Sequence, residues 1–526
     1  MTTGSLPAEP ASAAGQVYYV SPTGSDQANG LSAGTAWRTL NRANQQTFRP
    51  GDQLLLAGGS RFIGPLRLGV GDSGTAQDPL TVSSYGTGRA TVAGEGTEAI
   101  VVYNAANVSI RDLVLVGSAS SYQAFSGISA YSDQPSARVA RLRVSGVDVS
   151  GFKEGIAIGG RYAGAGFEDV LIEGVSTHDN RDAGILTYGP SFDAVTPRYA
   201  HAGVRVTGVT AYRNLGNRAN LTSNSGSGIV LGSVEGGTIE DSTAYDNGAA
   251  CVAPEGPVGI WAYDSRDIVI QRNLSYRNRS GGSADGGGFD LDQNVRSSVL
   301  QYNLSYQNDG PGLMVFTAQP NDATTGNVVR FNISVDDATG RGQYGAITVA
   351  GRITATTFHH NTVVIGALGP ARQPVVKLGE GFRGLNFSNN ILVSLGEGLV
   401  VAAMDTTPAQ AFFTGNAYYR SAGGLLWAWG RNSYDNLAAW RTGAGQEVAA
   451  GAATGFVGDP VLAGLRTAPT ITAASQLRTV VQYLPGENSP VSRVAVTNTT
   501  ADTTASTDFF GRTTTEPWRW AGAARP

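Results

Sequence analysis

Cysteine is nearly absent from this 526-residue chain. Cys251 stands alone, which excludes an internal disulfide framework and any cysteine-rich zinc or iron–sulfur site. Lysine is almost as scarce: Lys153 and Lys377 are the only two, so a mechanism that needs a lysine base has two candidates. There are 37 basic residues against 41 acidic ones, a formal charge of −4 with no basic field to hold nucleic acid by counterion release. The longest apolar runs, such as Leu54–Ala57 and Leu399–Met404, are far too short to span a bilayer, so no membrane insertion is expected and the chain reads as soluble. Residues 1–16 lack a charged segment followed by an apolar one. They read as a disordered leader rather than a signal peptide.

What the chain has in quantity is glycine, 71 residues of it, and self-similarity. Five segments share one pattern: Ser176-Thr-His-Asp-Asn180, Thr210-Ala-Tyr-Arg-Asn214, Thr243-Ala-Tyr-Asp-Asn247, Leu274-Ser-Tyr-Arg-Asn278 and Leu304-Ser-Tyr-Gln-Asn308. A short β-branched stretch precedes each, and a glycine opening a second strand follows. These glycines, at 155, 184, 228, 259, 288, 312 and 345, recur every 24–44 residues. Short strands at such periods, with no room for crossover helices, mean a stacked β-solenoid. The recurrent asparagines suit a buried ladder of side-chain amides at one turn, and the Asn-x-Ser/Thr triplets at Asn273, Asn303 and Asn332 are discounted as glycosylation sites on the same ground. His178 replaces the tyrosine of the repeat and is expected to stack there.

Side chains alternate across a strand, so the residue after each glycine defines the interior: Ile156, Ile185, Ile229, Ile260, Phe289, Leu313 and Ala346. The next column points outward: Ala157, Leu186, Val230, Trp261, Asp290, Met314 and Ile347. Two residues further on, also outward, stand Gly159, Tyr188, Gly232, Tyr263, Asp292, Phe316 and Val349. Aromatic residues beside two carboxylates on an outward face mark a binding surface. Ends are expected to differ: a strand at Val17–Val20, an N-terminal capping helix over Ala33–Gln46, a helix at Tyr434–Arg441 and a loose stretch near Ala450. The expected division is a leader at 1–16, a β-helix with its N-terminal cap at 17–404, and a C-terminal cap and tail packing on it at 405–526.

The opening Tyr18-Tyr-Val-Ser-Pro-Thr-Gly-Ser-Asp26, with Ala36-Trp-Arg-Thr-Leu40, Pro50-Gly-Asp52 and the coils of residues 55–400, resembles the right-handed parallel β-helix superfamily of polysaccharide-acting proteins, pectate lyases of family 9 among them. The Asp508-Phe-Phe-Gly-Arg512 segment also recurs in such chains. The resemblance implies an all-β, right-handed parallel β-helix, a polysaccharide or oligosaccharide partner, and a secreted or periplasmic location. It does not choose a reaction, because hydrolases, lyases, epimerases and non-catalytic adhesins share this fold. It is also silent on oligomeric state, sugar, linkage, and endo or exo action.

Ala284-Asp-Gly-Gly-Gly-Phe-Asp-Leu-Asp-Gln-Asn294 carries the chemistry candidates. Asp290 and Asp292 sit two residues apart on one strand face, with Cβ atoms roughly 6.5–7 Å apart. Like charges that close, against Trp261 and Phe316, split their pKa values and supply an acid and a base for glycoside cleavage. The spacing lies nearer the inverting range of about 6.5–9.5 Å than the retaining one. β-Helix hydrolases such as polygalacturonases and ι-carrageenases are similar in placing acidic pairs on this strand, although the Gly-His-Gly segment of the former is absent. The leading expectation is therefore acid/base hydrolysis by Asp290 and Asp292, with Asp285 in support and no cofactor required. Trp261, Tyr263 and Tyr188 are the expected sugar-stacking platform, with Phe316 beside it, and Arg352 and Arg296 the partners for anionic groups. Long loops at 190–202 and 215–224 are expected to build a groove wall.

The first alternative is a calcium-dependent lyase, implied by the likeness of Ala284-Asp-Gly and Asn308-Asp-Gly to family 9 metal-binding coils, with Asp264, Asp285 and Asp309 as ligands. Its base is the difficulty. At about 4.8 Å per coil, Lys377 lies roughly 14 Å and Lys153 roughly 19 Å from the Asp290 strand, whereas Arg352 lies about 10 Å away. The second alternative is a non-catalytic glycan-binding scaffold. His359 and His360 lack the further ligands of a zinc site, and one of the two must face outward.

Overall fold

The computed structural model describes residues 15–282, 284–340, 343–366, 372–403, 410–493, 507–513 and 520–525. Residues 1–14 of the expected leader at 1–16 lie outside the described residues, as does most of the Thr/Ser-rich tail at 494–506. The chain winds as a parallel β-helix in which each coil contributes one strand to each of three 14-stranded sheets. In the coil around the repeat, the first sheet takes Arg266–Gln271, the second Leu274–Tyr276 and the third Gly287–Leu291. Pairing between coils is parallel throughout until the final hairpin of the third sheet, Trp427–Trp429 with Asn432–Tyr434. Coils thus continue well past residue 404.

The predicted interior column is fully buried and pairs in register, Ile156 with Ile185, Ile229 with Ile260, Ile260 with Phe289 and Phe289 with Leu313. One coil departs from it. Leu313 pairs with Ile347 rather than Ala346, and Val315 with Val349, so Ile347 and Val349 face inward while Thr348 and Ala350 continue the outward columns. Ala346 lies in the turn before the strand, and the larger Ile347 fills the core position. Thr348 is followed by Lys377 in the same column.

The asparagine ladder of the repeat is present. The Asn180 amide donates to Asn214 Oδ1 at 3.0 Å, Asn214 to Asn247 at 3.0 Å, Asn247 to Asn278 at 2.9 Å and Asn278 to Asn308 at 2.9 Å. Asn308 donates to the carboxylate of Asp337 at 2.8 Å, where the series ends. The glycosylation-like triplets belong to a second ladder at the other corner of the second sheet. Asn273, Asn303, Asn332, Asn361, Asn390 and Asn416 are all fully buried, and Asn416 donates to Glu447 at 2.8 Å. An amide must both accept and donate to pass the series on; a carboxylate accepts from its predecessor and closes it. Outside the first ladder, His178 stacks on Tyr212 at 4.7 Å, and Tyr212, Tyr245, Tyr276 and Tyr306 continue the stack at 4.8–5.0 Å.

Both expected end helices need correction. Near the N-terminus, Trp37 bridges Val20 in extended form and the Asp26 carboxylate accepts from Arg38 N, Thr39 N and the Thr39 hydroxyl, so only Leu40–Ala43 winds as α-helix, after a 3₁₀ turn at Ala33–Thr35. The C-terminal helix is Leu437–Ala444: Asn436 caps it by accepting from Ala439 N at 2.8 Å, and Tyr434 is held in the hairpin. The stretch near Ala450 is a tight hairpin, Val448–Ala449 with Ala452–Ala453. The tail packs on the outer face of the second sheet, where Ile471, Leu477, Tyr483 and Phe509 cover Leu274, Tyr276, Leu304 and Tyr306. Asp508 folds the Asp508–Arg512 turn by accepting from Phe510 N, Arg512 N and the Arg512 guanidinium. His359 and His360 are both buried, because Trp520 of the tail packs against His360.

Burial pushes the Asp337 carboxyl up to about 7. A carboxyl raised on folding contributes its full stability below its unfolded value of about 3.9 and loses it as the pH climbs through the folded value. Asp337→Asn keeps the ladder acceptor and removes the titration. We expect urea unfolding of the parent to weaken by a few kcal/mol between pH 4 and 8, and the variant to show a much flatter dependence; an unchanged slope would locate the titration elsewhere.

Candidate active site

The outward columns of the third sheet do not lie open. Val230, Trp261 and Met314 are buried, forming a small apolar cluster with Val258, Leu186, Tyr263 and Tyr344. The chain that covers them leaves a cavity of about 570 Å³. Its walls include Ser223 and Asn224 from the 215–224 loop, Pro254–Gly256, the Ala284–Asp285 turn, and Tyr344, whose hydroxyl donates to Asp285 Oδ1 at 2.8 Å and accepts from Asp285 N at 2.9 Å. Of the two loops expected to form a wall, 215–224 does so; the 190–202 loop lines a separate cavity.

Asp290 and Asp292 both line this cavity, as does Asp285. Register places Asp290 between Trp261 and Met314 of the adjoining coils, and Asp292 follows the strand with its N–H donating to the Ala262 carbonyl at 2.9 Å. Asp290 is 1% exposed, and its Oδ1 finds no hydrogen-bond partner. Asp292 is half-buried, with Oδ1 accepting from Gln293 N at 2.6 Å. Burial, followed by the charges of Asp292 and Asp285, drives the Asp290 carboxyl well above the carboxylate range; burial also pushes Asp292 up to about 8. Two carboxyls flanked by apolar side chains cannot both ionise, so the pair holds a proton at neutral pH. Asp285 is raised by burial as well, against the opposing hydrogen bonds from Tyr344 and Gly256 N.

The aromatic platform is only partly assembled. Trp261 is 6% exposed and donates its indole N–H to Ser227 Oγ at 3.1 Å, so it forms cavity wall rather than an open stacking surface. Tyr263 sits 5.4 Å from it at a tilt of 35° and also lines the cavity, as does Phe316. Tyr188 does not. Its ring folds over Gly159, whose Cβ would meet it at 2.4 Å, and Tyr263 leans over Gly232 in the same way at 2.2 Å. Glycine is required at both positions by this close approach.

Arg352 and Arg296 lie outside the lining. Arg352 pairs with Asp322 at 3.0 Å, and Arg296 lies in the first sheet, bridging Arg266 and Thr325. The three expected calcium ligands do not converge. Asp264 accepts from Asn294 at 2.6 Å, Asp309 is held by Arg279 at 2.7 Å, and Asp285 faces Tyr344. Among the described residues no group of three His, Cys, Asp or Glu side chains is placed to hold a metal ion. His201, fully buried, accepts from Phe167 N at 3.0 Å and has Nε2 2.9 Å from the Tyr188 carbonyl, a structural role.

Sequence reasoning missed the far end of the cavity, where Lys153, Glu154 and Asp182 complete the lining. Lys153 pairs with Glu154 at 2.8 Å and Asp182 at 3.7 Å. Its distance from Asp290, about four coils, was legible; that one cavity spans both was not, because the enclosing loops carry no repeat. Tyr344 lies 59 residues from Asp285 and gave no signal at all.

The family model described as "Right handed beta helix region" matches residues 98–319 and 202–369, together just over half of the sequence. The chain belongs to the right-handed β-helix family. Among solved structures it is similar to the GH136 lacto-N-biosidase from Eubacterium ramulus, in its selenomethionine-derivative and native forms, with TM-scores of 0.55 and 0.54 and 18% identity over 73% of this chain and 67% and 68% of those. It is also similar to pectate lyase Pel9A, at 15% identity over 98% of this chain and 97% of that one, with a TM-score of 0.42. Identities this low show a shared fold alone. No curated protein matches the chain.

A buried, unpartnered carboxyl raised on folding costs stability as pH rises. Asp290→Asn is therefore expected to raise the thermal midpoint by a few degrees at pH 8 and by much less at pH 4. A lower midpoint at both values in differential scanning calorimetry would instead make Asp290 a structural hydrogen-bonding residue.

Proposed function

We propose that this β-helix protein is a carbohydrate-active enzyme that hydrolyses a glycosidic bond at an uncharged sugar residue held in the Asp290/Asp292 cavity. The observation that carries the reading is the pair itself: two carboxyls two residues apart, Asp290 buried with an unpartnered Oδ1, lining one cavity with an aromatic wall. Asp290, the more deeply buried and with a free Oδ1, keeps its proton and donates it to the leaving-group oxygen. Asp292, more open and already accepting one backbone N–H, ionises first and activates water at the anomeric carbon. Asp285, held by Tyr344, keeps a further negative field on the pair and raises Asp290.

The charge of the lining supports an uncharged sugar over a uronate. Among the described residues, Glu154, Asp182, Glu255, Asp285, Asp290 and Asp292 face the cavity against one cation, Lys153, and none of the described arginines lines it. A uronate carboxylate would enter against this field, and among the described residues the ligands expected for the lyase alternative do not converge, while its base would have to be Lys153, which is tied to Glu154 and Asp182. The similarity of fold to the GH136 lacto-N-biosidase fits this reading without carrying it.

The test is a panel of neutral and acidic glycans scored for new reducing ends and for ultraviolet absorbance of unsaturated uronides, with calcium and with chelator. We expect reducing ends from a neutral glycan, no such absorbance, and a loss of about 10²–10⁴-fold in kcat in Asp290→Asn and in Asp292→Asn. A bell-shaped kcat/KM profile should lose its alkaline limb in Asp290→Asn. Absorbance abolished by chelator would replace hydrolysis with elimination; retained glycan binding with no product in either channel would make the cavity a binding site only.

A further inference from the structure

A second cavity, of about 380 Å³, opens at the corner where the third sheet turns into the first. Its charge is opposite to that of the first. Arg138, Arg198 and Arg266 line it, with Glu235 as the one carboxylate in the wall. Glu235 pairs with Arg266 and, at 3.6 Å, with Arg138. Arg138 is anchored from behind, its Nε and Nη2 donating to the carbonyls of Ala200 and Tyr199 at 3.0 Å each, so its guanidinium is fixed in place. Arg266 lies over the Tyr199 ring, 5.7 Å from its centroid, and its remaining neighbour Asp267, 3.7 Å away, is largely solvent-exposed. Arg198 is exposed and forms no ion pair among the described residues.

The floor is Tyr199. It is 2% exposed, and its hydroxyl has no hydrogen-bond partner. The guanidiniums of Arg296 and Arg266 both act on that phenol and oppose the rise that burial causes, and Arg296 Nε is itself buried without a partner. A corner of the fold thus concentrates arginines that one wall carboxylate does not balance, over a tyrosine hydroxyl left without a partner. A buried donor without an acceptor is costly unless a ligand supplies one. Planar guanidiniums match the oxygens of carboxylate and sulfate groups.

We propose that this corner cavity is an anion-binding subsite that takes the carboxylate or sulfate group of an acidic sugar residue. Tyr263 lines the first cavity and Arg266 the second, and with only two residues between them their Cα atoms lie at most about 10–11 Å apart. One oligosaccharide therefore reaches both, with an uncharged residue at Asp290/Asp292 and an acidic one around the corner. The glycan part of this assignment rests on the function proposed above; the anion part does not.

Calorimetric titration of the full chain separates the two. The probes are a κ-carrageenan tetrasaccharide, its desulfated counterpart and inorganic sulfate. We expect the sulfated sugar to bind about ten-fold tighter than the desulfated one at low salt, with the advantage shrinking as salt rises. The advantage should disappear in Arg266→Gln and fall in Arg198→Ala, whose exposed side chain can be removed without disturbing the fold. It should survive in Asp292→Asn, so that loss of catalysis and loss of the subsite are read separately. Equal affinity for the two sugars, or a preference that persists in the Arg198→Ala/Arg266→Gln double variant, overturns the proposal. Inorganic sulfate competing as strongly as the sulfated sugar supports the anion site but overturns its assignment to a glycan.

Discussion

The amide hydrogen bond that each coil makes to the next at its two corners is what the rest of this molecule depends on. Thin coils have little interior, and their turns leave backbone groups buried without a partner. An asparagine at the turn accepts from the backbone N–H and the amide of the coil before it, and its own amide donates onward: Asn273 Oδ1 accepts from Ser242 N, and Asn273 donates to Asn303 at 3.1 Å. Because every ladder residue must sit directly over its predecessor, the ladders lock the register of all three sheets. Register in turn decides which side chains become neighbours on the outer face.

That fixed register makes the candidate site possible and also makes it costly. On the third sheet it sets Asp290 between Trp261 and Met314, with no cation in either flanking position. Elsewhere the same fold treats buried carboxylates quite differently: Glu447 receives the Asn416 amide, the Tyr418 hydroxyl at 2.6 Å and the Thr454 hydroxyl at 2.8 Å. Glu447 is a fully satisfied carboxylate, whereas Asp290 keeps an oxygen without a partner.

Much of this was legible in the sequence, for a physical reason. Parallel coils repeat the same environment, so the interior column, the first asparagine ladder and the stacking of His178 could be read from spacing alone. The carboxylate pair was legible because strand parity puts residues two apart on one face. What escaped is whatever does not repeat. The loops that bury Trp261, the arrival of Tyr344 at Asp285, and the removal of Tyr188, Arg352 and Arg296 from the cavity all depend on contacts between segments without a common pattern. The capping helix failed for a local reason, since Asp26 and the pairing of Trp37 with Val20 outcompete helical spacing over Ala33–Gln46.

The carboxylates that close the two ladders, Asp337 and Glu447, make each series directional, with a donor end toward the N-terminus and a stop at the other. Growth of the molecule by coil duplication is then asymmetric. A copied coil bearing asparagine can be spliced anywhere ahead of the stop, because it accepts and donates like its neighbours. Behind Asp337 the coils at Thr362–Ile365, Ile391–Ser394 and Ala417–Arg420 follow without the first ladder, whereas Glu447 stands at the last of them and offers a further coil no donor. The stops thus act as punctuation that lets the length of such a protein drift during evolution while its C-terminal closure stays the same.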